Sequence, residues 1–200
     1  CRSCGRNFKL DKALKPKRKP ASRPKDYRVV RCFECNTELE VSPAAISTIC
    51  HVCSRHIDLN DYTVSGLFGR NLETKGSLNL TEKGFLTAEK IVVGYAQIRG
   101  KLNAELLRSE GAVELYPTAV VQGNIFAREL KVMHDARFII THRVEVDSAQ
   151  IHGTVKGRLI CHGKVFLGKT GVFEGDLTAR AIDMEFGSTL KGSMTIRQNE

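Results

Sequence analysis

From Tyr62 onward the chain alternates apolar and polar residues in short runs, each punctuated by glycine or another small residue. One phrase recurs: apolar, any, glycine, any, apolar, any, small, any, any, apolar. It runs from Ile98 through Gly100, Leu102 and Ala104 to Leu107, and again from Val121 through Gly123, Ile125 and Ala127 to Leu130. It returns from Ile151 through Gly153, Val155 and Gly157 to Ile160, and from Phe173 through Gly175, Leu177 and Ala179 to Ile182. Residues from Gly84 to Ile91 fit from the glycine on, and Leu190 to Ile196 form a cut-off copy. Period-two alternation predicts strands with one apolar face. The runs, about five residues long, are too short for helices, and no helix-length 3.6-residue pattern interrupts them. Small residues after each strand suit tight corners.

Short strands of one kind with corners between them predict a β-solenoid, in which each coil buries its apolar face only by stacking on the next. An antiparallel barrel or sandwich is the alternative. The repeat reads as irregular: Gly84, Gly100, Gly123, Gly153, Gly175 and Gly192 stand 16, 23, 30, 22 and 17 positions apart. The expectation is that corner loops absorb the variation, and that the longest gap hides a degenerate coil around Ala136–Ile140.

Composition divides the chain in two. Of its 31 Lys/Arg and 22 Asp/Glu, residues 1–28 hold 11 basic and 2 acidic, which is the whole net charge of +9. The remainder is neutral, so a basic isoelectric point is no argument that the main body binds nucleic acid. Four of the five prolines lie before residue 44, and 16 of the 17 glycines lie after residue 61. We place a domain boundary at Asp61-Tyr62. No run of 18 apolar residues predicts a membrane span, and no signal segment opens the chain.

Six of the seven cysteines form C-x-x-C pairs: Cys1/Cys4, Cys32/Cys35 and Cys50/Cys53. Two such turns aim four thiolates at one ion, and the spacing of the second and third pairs is that of a structural Zn²⁺ ribbon. An iron site or disulfides are the alternatives. The run after Cys1 matches the run after Cys50 at Cys4/Cys53, Arg6/Arg55, Phe8/Ile57 and Leu10/Leu59. This reads as a duplicated ribbon whose first copy lacks its leading half; the rival pairs Cys1/Cys4 with Cys32/Cys35. His51 and His56, beside a filled tetrahedron, read as solvent-facing. Residues 11–28 form a Pro/Lys-rich linker that buries too little apolar surface to fold. Lys15, Lys17, Arg18, Lys19, Arg23 and Lys25 within it are candidate contacts for a polyanion, either nucleic acid or an anionic membrane surface.

The series of phrases, ending in Gly171-Val172-Phe173-Glu174-Gly175-Asp176-Leu177, resembles the bactofilin family of polymer-forming bacterial cytoskeletal proteins over about residues 62–197. The resemblance implies an all-β chain: a right-handed parallel β-helix, here preceded by zinc-ribbon modules. It further implies a cytoplasmic protein that assembles end to end into filaments without nucleotide. Such proteins scaffold cell-wall and shape-determining enzymes and contact the membrane through an N-terminal tail. This chain departs from the family in carrying ribbons and a basic linker where a short, mildly apolar tail is usual. The expected organisation is a ribbon remnant at 1–10, the linker at 11–28, a zinc ribbon at 29–61, the β-helix at 62–197 and a tail at 198–200.

Solenoids expose strand edges and apolar core at uncapped ends, so matching ends can stack and run on. Phe173 and Phe186, in the last coils, are candidate end contacts, with the core as the competing place for Phe173. No enzyme is expected. The six-residue repeat of a left-handed acyltransferase helix is absent, and so are a P-loop, G-x-S-x-G and H-E-x-x-H. Cys161 and His162 are adjacent and would face opposite sides of a strand, with Cys161 in the core. The first expectation is therefore a self-assembling scaffold with ribbons as recognition modules. The competing ones are a nucleic-acid-binding protein multimerised by its β-helix, and a redox or metal-sensing switch built on the C-x-x-C pairs.

Overall fold

A computed structural model describes residues 27–197, and every regular element among them is a β-strand, nineteen in all. Cys1, Cys4 and the basic linker positions Lys15, Lys17, Arg18, Lys19, Arg23 and Lys25 lie outside the described residues. Two antiparallel hairpins come first: β1 (Arg28–Arg31) with β2 (Glu38–Val41), and β3 (Ser47–Ile49) with β4 (His56–Asp58). Together they bury a small core of their own, made of Cys32, Leu39, Val41, Cys50, Ile57 and Leu59.

From β5 (Tyr62–Val64) to β19 (Thr189–Ile196) the strands form one fifteen-stranded sheet, wound as a parallel solenoid of about eight turns. Because its pairings are parallel, the barrel and sandwich alternatives fall. Tyr95 lies beside Ser77, Lys101 beside Phe85, Val172 beside Thr154 and Thr189 beside Val172, so each coil takes about 17 residues. Each coil has three faces. In the sixth, 148–151 form the first face, 154–157 the second and 159–161 the third, carried by β14 (Val144–Ile151) and β15 (Thr154–Cys161). Inward residues alternate with outward ones along every face, as Val155, Leu159 and Cys161 do in β15. The inward set merges into one continuous core along the axis.

The irregular glycine spacing has a physical explanation other than variable loops. The recurring phrase marks two different corners. Gly100 and Gly153 stand between the first and second faces, and Gly123, Gly175 and Gly192 between the second and third. The two sets also differ in backbone: Gly123, Gly175 and Gly192 have φ of 123°, 138° and 125°, whereas Gly100 and Gly153 do not have positive φ. Jumping from one corner column to the other makes steps of 23, 30 and 22 out of coils of nearly constant length. The longest gap does contain a coil face, β13 (Arg137–Ile139), paired with β15 and pointing Phe138 inward.

The two hairpins and the solenoid meet at the corner after the third face. Arg55 pairs with Glu73 at 2.8 Å. The buried Lys75 ammonium lies 4.1 Å from the centroid of the Phe33 ring and forms an ion pair with Glu110. Below this contact a cleft of about 810 Å³ opens between β1–β2 and the solenoid wall, its far side formed by Arg108, Phe126, Glu145 and His162.

Candidate metal centre and assembly face

Each C-x-x-C pair of the described residues sits in a tight turn between hairpin strands, and the two turns are built alike. The Cys32 amide donates to the Thr37 carbonyl at 3.0 Å, and the Asn36 amide to the Cys32 carbonyl at 3.2 Å. The Cys50 amide donates to the Arg55 carbonyl and the Ser54 amide to the Cys50 carbonyl, both at 2.9 Å. Asn36 and Ser54 close the turns at φ of 61° and 60°, in the left-handed region that Asn and small polar residues tolerate best after glycine. Nothing in the C-x-x-C spacing singled these two residues out; they stand one position beyond each pair.

The turns bring Cys32, Cys35, Cys50 and Cys53 together with their sulfurs all within 4.8 Å of one another. The rival pairing of Cys32/Cys35 with Cys1/Cys4 is not the arrangement this fold adopts for Cys32 and Cys35. Cys32 Sγ lies 3.5 Å from Cys53 Sγ, and Cys35 Sγ lies 3.5 Å from Cys50 Sγ. Tetrahedral sulfurs bonded at about 2.3 Å to one zinc stand about 3.8 Å apart, so the set can hold a metal ion with little movement. Cys32 and Cys50 are buried while Cys35 and Cys53 face solvent. His51 and His56 are exposed and lie outside the cluster.

The sulfurs compete for charge. Cys35 is held down to about 6, chiefly by its hydrogen bond with the Thr37 hydroxyl. Cys32 is lowered too, first by the Cys35 backbone amide. Cys53 is pushed up to about 12: the Arg55 backbone amide favours its thiolate, but desolvation and the neighbouring cysteines outweigh that. Sulfurs this close do not all ionise together without a cation, and a metal ion that displaces the remaining protons is the chemistry of a thiolate site.

The second candidate region is the last coil. Phe173, named as a candidate end contact, is not at the end. It is fully buried, and β19 lies over it with Leu190 in register. Its inward position in β17 (Val172–Ala179) makes it core. Phe186 is 97% exposed, on the turn between β18 (Ala181–Met184) and β19. Residues that the sequence reading passed over share that end. Ile182 and Met184 continue the columns of Val165 and Leu167, and Leu190, Met194 and Ile196 continue those of Phe173, Leu177 and Ala179. The five residues beneath are each at most 1% exposed, whereas Met184, Met194 and Ile196 are 50%, 52% and 45% exposed. The signal that could have found them was the phrase Leu190–Ile196 itself, whose apolar positions continue the inward columns.

His162 and Cys161 point to opposite sides as expected. Cys161 is in the core, and burial raises its thiol. His162 Nε2 meets Glu145 Oε1 at 2.7 Å on the outer wall of the cleft. The cleft lining supplies no cysteine, and its serine, Ser109, is buried with its hydroxyl bonded to the Gly94 carbonyl at 3.3 Å. Among the described residues no helix is long and apolar enough to cross a membrane.

The described residues thus define an all-β protein, a parallel solenoid preceded by a four-cysteine cluster that could hold a metal ion. The sequence model of the family described as Bactofilin, polymer-forming cytoskeletal, matches residues 50–142 and 139–195. That is more than half of the chain, and the protein belongs to this family. The matched span begins at Cys50, inside the second C-x-x-C turn. Comparison with curated proteins and with solved structures gives no match.

Proposed function

We propose that the protein is a non-enzymatic cytoskeletal scaffold that self-assembles through the ends of its β-helix without nucleotide. Residues 29–61 form a zinc ribbon that serves as a targeting or recognition module, and 62–197 form the assembling body. One observation carries this reading: in the last coil the core columns reach solvent at Met184, Met194 and Ile196. A strand edge flanks them, since among the described residues β18 pairs only with β16 (Lys164–Leu167) and β19 only with β17. Apolar area and an unpaired edge together are what a second copy can cover. Family membership supports the same reading. The metal assignment rests on the four converging sulfurs, with Cys32, Cys35, Cys50 and Cys53 as ligands and zinc in a structural role. Cell-wall or shape-determining enzymes are the expected clients, in the cytoplasm.

Sedimentation velocity of the whole chain over a concentration series, with no nucleotide present, tests this. Association that rises with concentration and is unchanged by added ATP or GTP is expected. A monomer at every concentration overturns the proposal.

A further inference from the structure

The two ends of the solenoid are built differently. At the C-terminal end nothing among the described residues packs over Met184, Met194 and Ile196. At the N-terminal end two inward residues of the first coil, Val64 and Leu72, are only 5% exposed, and the other two, Tyr62 and Phe68, are partly buried.

The hydrogen-bond ladder shows what occupies that end. Along the corner after the third face, each coil donates an amide to the coil before it: Arg180 to the Gly163 carbonyl at 2.9 Å, Gly94 to Gly76 at 2.8 Å. The ladder does not stop at the first coil. The Lys75 amide donates to the Asp58 carbonyl at 2.9 Å, and the Thr74 hydroxyl to the Asn60 carbonyl at 2.8 Å. An ideal Cβ on Gly76 would lie 2.1 Å from the Asn60 oxygen, and one on Gly94 would lie 2.3 Å from the Lys75 oxygen of the coil before it. Asp58–Asn60 therefore occupy the place of a further coil at this corner. Asp58 is the last residue of β4, so this segment is continuous with the ribbon. The Tyr62 hydroxyl donates to Asp58 Oδ2 at 2.5 Å, and Arg55–Glu73 and Lys75–Phe33 fasten the ribbon beside it.

A second solenoid stacking on the first coil would need its strands about 4.8 Å beyond it, and at this corner that position is taken. Among the described residues the other end has no such obstruction. We propose that the folded ribbon closes the N-terminal end of the solenoid to stacking, so that the metal-loaded chain associates through its C-terminal coil alone. One usable end gives a two-fold contact, and a two-fold contact closes on itself. The product is a pair of chains with β19 against β19 of the second copy and a ribbon at each outer end. Growth beyond the pair requires the ribbon to leave the corner. This rests on the self-assembly reading above and adds to it a control on how far assembly runs.

The test uses the whole chain, loaded with zinc, in sedimentation velocity and negative-stain electron microscopy. The expected species is a discrete dimer without filaments, weakened about 30-fold or more by Met194→Lys. The Cys50→Ser/Cys53→Ser chain, or the wild type stripped with a chelator, is expected to form longer assemblies. Filaments from the zinc-loaded wild type would overturn the closure while leaving self-assembly intact. A pair that remains a pair once the metal site is abolished would overturn the ribbon as the obstruction. A zinc-loaded monomer at all concentrations would sink both readings.

Discussion

Gly175→Ala tests the corner geometry on which the whole coil register rests. Gly175 has φ of 138°, in a region that L side chains avoid at a cost of about 1–3 kcal/mol. The new Cβ would stand 2.1 Å from the Gly157 carbonyl oxygen, 2.9 Å from its carbon and 3.1 Å from its nitrogen. All three are backbone atoms, so no side chain can rotate away, and relief requires two coils to part locally. Adding ladder distortion to the dihedral cost gives a loss of about 3 kcal/mol or more. The chain contains its own control: a Cβ on Gly66 would meet nothing within 4 Å, and Gly66→Ala should be neutral or stabilising by about 0.4–1 kcal/mol. For a chain of this size, 1 kcal/mol moves the midpoint by about 2–4 °C. Thermal unfolding followed by far-ultraviolet circular dichroism should therefore place Gly175→Ala about 6–12 °C below wild type and Gly66→Ala at or above it. If the two variants melt together, the corner is not as described and the register argument fails.

Phe173→Ala should cost about 3–5 kcal/mol by opening a cavity in a filled core, while Phe186→Ala should stay within about 0.5 kcal/mol; denaturant midpoints decide. Metal analysis should find one zinc per Cys32–Cys53 quartet, lost in Cys32→Ser or Cys50→Ser and retained in Cys161→Ser. Its affinity should fall with falling pH, because protons compete for the sulfurs. Asp58 lies below the usual carboxylate range: burial works against its charge, but hydrogen bonds from Tyr62 and Asn60 prevail. Its folded pKa is thus below the unfolded one, so its stabilisation is complete above about pH 4 and is lost as pH falls further. Asp58→Asn should flatten the acid limb of the stability curve relative to wild type, and equal slopes would contradict this.

Strand type, the axial core and the four-cysteine cluster were all legible in the sequence, because each is a local signal. Alternation needs only five residues, and a C-x-x-C turn needs four. What failed was anything that depends on the coil as a whole. The same phrase serves two corners, and only the sign of φ at Gly123 and Gly175, against Gly100 and Gly153, separates them. A one-dimensional reading therefore saw unequal coils where the structure has equal ones. Phe173 and Phe186 were both candidate end contacts, with the core as the competing place for Phe173; one more coil lies over Phe173, and a turn carries Phe186. The segment Asp58–Asn60 bears no copy of the phrase. Its role as a continuation of the ladder comes from Lys75 and Thr74 reaching back to its carbonyls, which no spacing rule encodes.

The central claim is that the last coil is an assembly face, and Met194→Lys tests it most directly. Met194 is 52% exposed and stacks on Leu177, which is 1% exposed. Burying the open half of a methionine is worth about 1 kcal/mol, and a two-fold contact counts it twice, so losing that term alone weakens the pair about 30-fold. Burying two lysines adds further to the loss. Sedimentation equilibrium of wild type and variant, with matched circular dichroism to show that both are folded, should give a self-association constant lower by at least that factor. Equal constants for two folded proteins would place the assembly face elsewhere and contradict the account.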